Sequence, residues 1–448
     1  MKKIILITFS LMLCLVGFSQ EIPQKLRLQE AIDYALENNR TAKNAQLDIE
    51  AAKQQKWETI ASGLPQISAS IDYNHWLKQQ VSLIPAEFFG GNPGEFAEVA
   101  FGTKKTMNAK ATLNQKIFDG SYLVGLQSAK VFLEISKNAK EKTDLEVRKA
   151  VINAYGNVLL AEESVKIFER NISVLEKNLN ETTKIYENGL GEEESVEQLQ
   201  ITLSGLKSNL SNTERLKTLA YKMLNITLGV DLNSNILLSD NLNSLTSQNI
   251  VLSLLDADEN VEQTIDYKIA ENDKVSKELL LKLERSKALP TLNAFINGGY
   301  SGNNDKFRFL KSSQKWFGTS LLGVTLDIPI FSSGMRSAAT QRARINLEKA
   351  KADLTETEQQ LKLQIETAKS EYKFAIEDFQ NKKDNLGLAE RIEKKNQVKF
   401  FEGISTSFDL RQAQTQLYTI QQELLQAMLG VINKKAALET VLNEIPKN

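Results

Sequence analysis

Four carboxylates sit beside two glycine turns. Glu192, Glu193 and Glu194 follow Gly189-Leu190-Gly191, and Asp409 follows Gly403-Ile404-Ser405. Acids placed there can attract cations. They can also steady the first turn of a helix, whose free N–H groups and dipole favour negative charge. Thr406 and Asp409 have the spacing of a capping box. Neither role is covalent catalysis. His75 is the only histidine and Cys14 the only cysteine. One histidine cannot build a histidine-based metal site, and no Ser-His-Asp set, phosphate loop or zinc motif occurs. The remaining acids scatter along helix faces, where solvation is their ordinary role. Neither an enzyme nor a bound cofactor or metal is expected.

The chain opens like an exported protein. Lys2 and Lys3 make a basic start, Ile4 to Val16 an apolar stretch, and Gly17-Phe18-Ser19 a small-residue cleavage site. Residues 1–19 therefore read as a signal peptide. Leu11-Met12-Leu13 lacks the small residues that a lipid-attachment site at Cys14 requires. Removing the signal leaves no cysteine, which excludes disulfides and thiolate metal sites. No later apolar run is long enough for a membrane helix. The net charge of −1 gives no basic surface for nucleic acid. Only 7 prolines in 448 residues leave room for long helices.

The elements that carry the glycine turns occur twice. Leu64-Pro65-Gln66-Ile67 recurs as Leu289-Pro290-Thr291-Leu292, Ile117-Phe118-Asp119-Gly120 as Ile330-Phe331-Ser332-Ser333-Gly334, and Tyr186-Glu187-Asn188-Gly189-Leu190 as Phe400-Phe401-Glu402-Gly403-Ile404. A nearly constant offset means one unit used twice. The first repeat spans 20–229: a helix near 30–62, a β-hairpin at 66–118, a long helix at 121–186 and a return helix at 195–228. The second spans 258–448: a helix near 258–287, a hairpin at 291–331, a long helix at 334–401 and a return helix at 408–442. The segment 230–257 joins them and is expected beside the helices, midway along their length. Val165, Phe168, Ile172, Leu175, Leu179 and Tyr186, like Leu361, Ile365, Ala368, Tyr372, Ala375 and Phe379, follow a coiled-coil seam. Each long helix would reach roughly 100 Å.

Both hairpins alternate apolar and polar residues. Ile67, Ala69, Ile71 and Tyr73 interleave with Ser68, Ser70, Asp72 and Asn74, and Leu322, Val324, Leu326, Ile328 and Ile330 face away from Thr325 and Asp327. Such segments suit transmembrane barrel strands, and equally a half-buried soluble sheet. Four strands cannot close a barrel, which needs about eight. Either the sheet is soluble, or several chains share one barrel. Aromatic residues at the strand ends, notably Tyr73, Trp76, Tyr300 and Trp316, favour the shared barrel, where they would meet lipid headgroups. The loop Leu77 to Thr106 is longer than its counterpart Ser301 to Lys315 and is expected on the outer side.

At this point the chain resembles the TolC family of outer-membrane efflux proteins. The opening Leu26-Arg27-Leu28-Gln29-Glu30-Ala31-Ile32-Asp33-Tyr34-Ala35-Leu36-Glu37-Asn38-Asn39 is similar to that family's start, with Arg40 where the family usually has proline. The glycine turns resemble its helix tips, the second continuing to Asp409-Leu410. The resemblance implies a mainly α fold with a transmembrane β part. In a homotrimer, long coiled-coil helices would form a periplasmic α-barrel, and four strands per chain a shared twelve-stranded β-barrel. It implies an exit duct in the outer membrane of a Gram-negative bacterium. Its partners would be a periplasmic adaptor and an inner-membrane pump of RND or ABC type, in a tripartite efflux or type I secretion system. Gly189, Leu190, Gly191, Gly403, Ile404 and Ser405 would receive the adaptor. Glu192, Glu193, Glu194 and Asp409 would form an acidic periplasmic gate favouring cations. The latch arginine of some relatives falls at Ser405 and is missing. Gln412 and Ser195 replace other acidic positions. The competing readings are a periplasmic coiled-coil adaptor or scaffold with a small soluble sheet, and a secreted hydrolase.

Overall fold

The computed structural model describes residues 25–257 and 260–444. The expected signal peptide and Cys14 lie outside them. The described chain runs β1 (Lys25–Leu26), α1 (Leu28–Asn38), α2 (Arg40–Ala61), β2 (Gln66–His75), β3 (Val81–Pro85), β4 (Phe96–Ala100), β5 (Lys105–Phe118), α3 (Gly120–Glu187) and α4 (Glu193–Leu228). It continues through β6 (Leu237–Leu238), α5 (Leu242–Gln248), α6 (Ile265–Ser286), β7 (Thr291–Asn304), β8 (Trp316–Asp327), α7 (Met335–Phe401) and α8 (Ser407–Leu442). It divides into two compact units. One takes in Met1–Ile49, Ser136–Ala270 and Leu354–Asn448; the other takes in Glu50–Ile135 and Glu271–Asp353.

The first unit is helical. Its core is the coiled-coil seam read from the sequence: Leu361, Ile365, Ala368, Tyr372, Ala375 and Phe379 are all buried on α7. On α3, Val165, Ile172 and Leu175 are buried, whereas Tyr186 is 39% exposed. That seam therefore stops short of the turn. α3 and α7 hold 68 and 67 residues in all, divided between the two units, and α4 and α8 36 each.

The helix expected near 30–62 is two helices. Asn39 breaks it with an extended ψ of 135°. Its Oδ1 accepts from the Thr41 and Ala42 N–H groups, and its Nδ2 donates to the Thr227 carbonyl. Asn39 is thus the N-cap of α2, and Arg40 occupies the first helical position, where proline is favoured. The missing family proline costs the break nothing, because the cap makes it. A Cβ on Gly229 would stand 2.3 Å from the Asn38 carbonyl oxygen, so only glycine lets α4 end against this break.

Two buried tyrosines hold the inter-repeat segment. Tyr155 donates to Asp240 Oδ2 (2.8 Å) and lies 3.0 Å from the Leu26 carbonyl; the same Asp240 oxygen accepts from the Leu28 N–H. This fixes the parallel pairing of β1 with β6. Tyr372 donates to the Asn249 carbonyl (2.6 Å) and accepts from the Val251 N–H (2.9 Å). Arg148 pairs with the buried Glu439 at 2.6 Å, and Lys435 adds a second cation at 3.2 Å.

The second unit carries a four-stranded antiparallel sheet in the order β2-β5-β7-β8. The registers Ile71↔Ala109, Ala109↔Tyr300 and Tyr300↔Gly318 put apolar residues of all four strands on one face. Asp72, Asn108 and Ser301 line the other. Ile328 and Ile330 lie beyond β8, because Pro329 offers no N–H to the ladder. The long loop between β2 and β5 has structure of its own. β3 and β4 pair across Val81↔Ala100 to Pro85↔Phe96, and a 3₁₀ turn, Ala86–Phe89, caps them. Among the described residues, no helix is long and apolar enough to cross a membrane.

Candidate functional site

In the helical unit, both glycine turns are Schellman motifs. Gly189 has φ +74° and Gly403 φ +72°. Leu190 N–H donates to the Ile185 carbonyl (3.0 Å) and Gly189 N–H to Tyr186 (2.8 Å). The second turn repeats this with Ile404 to Lys399 (2.8 Å) and Gly403 to Phe400 (3.0 Å). Positive φ is what a helix stop of this type needs, and glycine supplies it without strain. The motif usually tucks its following apolar residue against the helix. Here that residue stays out: Leu190 is 81% and Ile404 69% exposed. Two aliphatic side chains therefore project from two matching turns.

The acids divide into two kinds. Asp409 closes the capping box expected from its spacing. Its Oδ2 accepts from the Thr406 N–H (3.0 Å) and hydroxyl (2.8 Å), while Thr406 Oγ1 accepts from the Asp409 N–H (3.2 Å). These bonds hold the Asp409 carboxyl below the usual aspartate range. Glu192 is the N-cap of α4 but its side chain makes no cap bond; Glu193 and Glu194 stand in the first turn. Ser407 Oγ lies 3.4 Å from Gln198 Oε1, which brings the starts of α4 and α8 together. Among the described residues, no group of three or more His, Cys, Asp or Glu is placed to hold a metal ion.

In the sheet unit, the apolar face of the four strands is bare. Ile67 is 75%, Ile71 71% and Leu322 70% exposed. A soluble sheet of this composition would bury that face. At one end of the sheet, Tyr73, Phe307 and Phe309 form an edge-to-face cluster, and Trp316 packs on Phe309 at a tilt, with ring centres 5.5–6.3 Å apart. They pack over Gly302, where a Cβ would crowd Phe309 and Trp316 at 3.2 Å. Tyr300 lies over Gly318 instead, and Trp76 stands one residue past β2, its N–H donating to the Lys104 carbonyl. Phe309 is buried in the cluster rather than turned outward.

A model of the outer membrane efflux protein family matches residues 31–230 and 279–444. The chain belongs to that family. The two matched stretches fall on the two repeats, and the efflux protein is an exit duct of the outer membrane. Its fold is similar to crystal structures of CusC, with 18% identity, 93% of this chain and 91% of that one covered, and a TM-score of 0.72. The Campylobacter jejuni CmeC outer membrane channel gives 16%, 93%, 85% and 0.71. The outer membrane protein VceC of Vibrio cholerae gives 15%, 93%, 95% and 0.69. Comparison with curated protein sequences finds no match.

Along α3, the efflux protein also carries polar residues that periodicity alone passes over. Ser164, Asn171 and Asn178 recur every seventh residue inside the α3 seam and are all buried. They meet Gln422 (3.3 Å), Gln421 (2.8 Å) and Gln397 (3.0 Å) across the helix pairs. On α7, burial pushes the Glu393 carboxyl up. The seven-residue spacing was the available signal, but it is masked by the stronger apolar pattern around it.

Proposed function

We propose that the chain forms a homotrimer whose three sheets close one twelve-stranded barrel, and that it is the outer duct of a tripartite efflux or type I secretion system. The observation that carries this reading is the sheet itself. Its order leaves β2 and β8 unpaired on their outer edges, and its apolar face is exposed along the strands. Four strands are too few to close, free edges invite a further strand, and an apolar face in a membrane protein meets lipid. Because β2 and β8 run antiparallel, a neighbour's β8 continues the alternation, and three copies complete it.

The helix turns are the proposed docking surface. Gly189, Leu190 and Gly191, with Gly403, Ile404 and Ser405, would meet the helical hairpin of a periplasmic adaptor, itself attached to an inner-membrane pump of RND or ABC type. Exposed Leu190 and Ile404 support this, since nothing within the Schellman motif uses them. Glu192, Glu193, Glu194 and Asp409 would concentrate threefold near the periplasmic mouth and favour cations there. Tyr73, Trp76, Tyr300 and Trp316 would lie at the headgroup level. The test is the mass of the detergent-extracted protein by light scattering, corrected for bound detergent. Three chains per particle are expected. A single chain recovered without detergent would exclude the shared barrel.

A further inference from the structure

The two loops at one end of the sheet carry opposite charge that the chain leaves unused. The excursion between β2 and β5 holds Glu87, Glu95 and Glu98 on its β3–β4 part, with Lys78 and Lys104 nearer its roots, all exposed. The loop between β7 and β8 holds Lys306, Arg308, Lys311 and Lys315, also exposed. Among the described residues, none of these charges has an ion-pair partner. The contact the chain does make between the loops is at their roots, where Asp305 accepts from the Lys104 N–H at 3.0 Å.

The excursion is also unusually apolar for a segment that nothing covers. Leu77 is 95%, Phe88 78%, Phe89 65%, Leu83 65% and Phe96 64% exposed. The β3–β4 pair holds these residues up rather than hiding them. The basic loop offers a matching surface, with Leu310 85% and Phe307 51% exposed. A bare cluster of this kind in water marks an interaction site.

Register says which surface comes near. His75 ends β2, and Trp316 begins β8. When a second copy adds its β8 antiparallel to the free edge of β2, the neighbour's Trp316 arrives at the His75 end. Its β7–β8 loop then stands over the root of this chain's excursion. We infer that the β3–β4 excursion of one chain clasps the β7–β8 loop of the neighbouring copy. Its glutamates would face that loop's Lys306, Arg308 and Lys311, and Phe88 and Phe89 would cover its Leu310. The clasp rests on the shared-barrel reading and adds a second interface to it. It would lock the copies together above the strands, where hydrogen bonding between edges ends.

The test uses the full-length protein extracted from membranes. Asn92→Cys and Ser312→Cys place thiols on the two loops and change no charged residue, at the loss of one 3.4 Å bond from Asn92 Nδ2 to Glu95; both positions are exposed. Cys14, the one native cysteine, lies in the segment expected to leave with the export signal. A short bismaleimide should convert the double variant into covalent dimers and trimers, and each single variant should stay monomeric on a denaturing gel. Reversing the acids (Glu87→Lys, Glu95→Lys, Glu98→Lys) should lower the yield about fivefold, and adding Lys306→Glu, Arg308→Glu and Lys311→Glu should restore it. Light scattering on the same sample counts the chains separately. Three chains per particle with only monomer bands would overturn the clasp while keeping the barrel. Dimers from Asn92→Cys alone would set the excursions against one another and also overturn it. One chain per particle would remove the barrel and the clasp together.

Discussion

At Leu190 and Ile404 the side chain and the backbone give separate information. The backbone at Gly189 and Gly403 ends a helix, and this explains the glycines without any partner. The exposed aliphatic side chains that follow are not explained by it. Changing both to serine should therefore leave the number of chains per particle unchanged and the thermal stability within about 0.5 kcal/mol of the parent, as exposed substitutions do. Export of a dye should nevertheless fall sharply. Unchanged export would exclude docking at these turns. Gly403→Pro should abolish export by a different route, since the ring cannot reach φ +72°. The acids answer to another measurement. Converting Glu192, Glu193 and Glu194 to glutamine and Asp409 to asparagine should shift the channel's preference away from cations across planar bilayers. An unchanged reversal potential would leave the acids with only their helix-start role. Asp409's carboxyl is held low, so its contribution to the α8 start is complete above the ordinary aspartate range and is lost as pH falls through the lowered value.

Among the elements, the inter-repeat segment depends on α3 and α7 through single side chains. Tyr155 is fully buried, and its hydroxyl serves both the Leu26 carbonyl and Asp240. Tyr155→Phe takes one bond from the Leu26 carbonyl, which keeps the Ser239 N–H, and one from the half-buried Asp240 carboxylate, which keeps the Leu28 N–H, at a cost of about 1–3 kcal/mol. The expected result is a lower denaturation midpoint and faster amide exchange at Leu28, whose N–H donates to the same Asp240 oxygen. A midpoint unchanged from the parent would show that β1 and β6 hold without it. The polar residues at Ser164, Asn171 and Asn178 work at the same scale. Polar positions in an apolar seam sacrifice stability for a defined register, and the bonds to Gln422, Gln421 and Gln397 give α3 one preferred alignment with α7 and α8.

For the whole molecule, the sheet's two faces decide the environment. Ile71 is 71% exposed on the apolar face, and a charged residue there would meet hydrocarbon in a barrel. Ile71→Arg should destabilise the folded protein in lipid by about 2–4 kcal/mol, while the same change at Ser70, on the polar face, should cost far less. Equal effects at both positions, read from unfolding in vesicles, would mean that neither face touches lipid. The comparison also separates a duct from a scaffold, since only a duct has one dry and one wet face.

Much of this was legible from residue types alone. The double use of one unit, the long helices, the four strands with their alternation and the two glycine turns all follow from local periodicity and from backbone preferences of glycine and proline. These act over a few residues and leave their mark in order along the chain. Tertiary structure decided what depends on residues far apart. Asn39 breaks a continuous helical pattern because its amide reaches Thr227, a contact that no periodicity encodes. The β3–β4 pair inside a loop forms between segments too short to stand out. The apolar face proved to be uncovered because none of the described elements packs on it, and that is a property of the arrangement, not of one strand. Alternation says that a strand has two faces. Which of them meets protein and which meets something else is settled only when every other segment has taken its place.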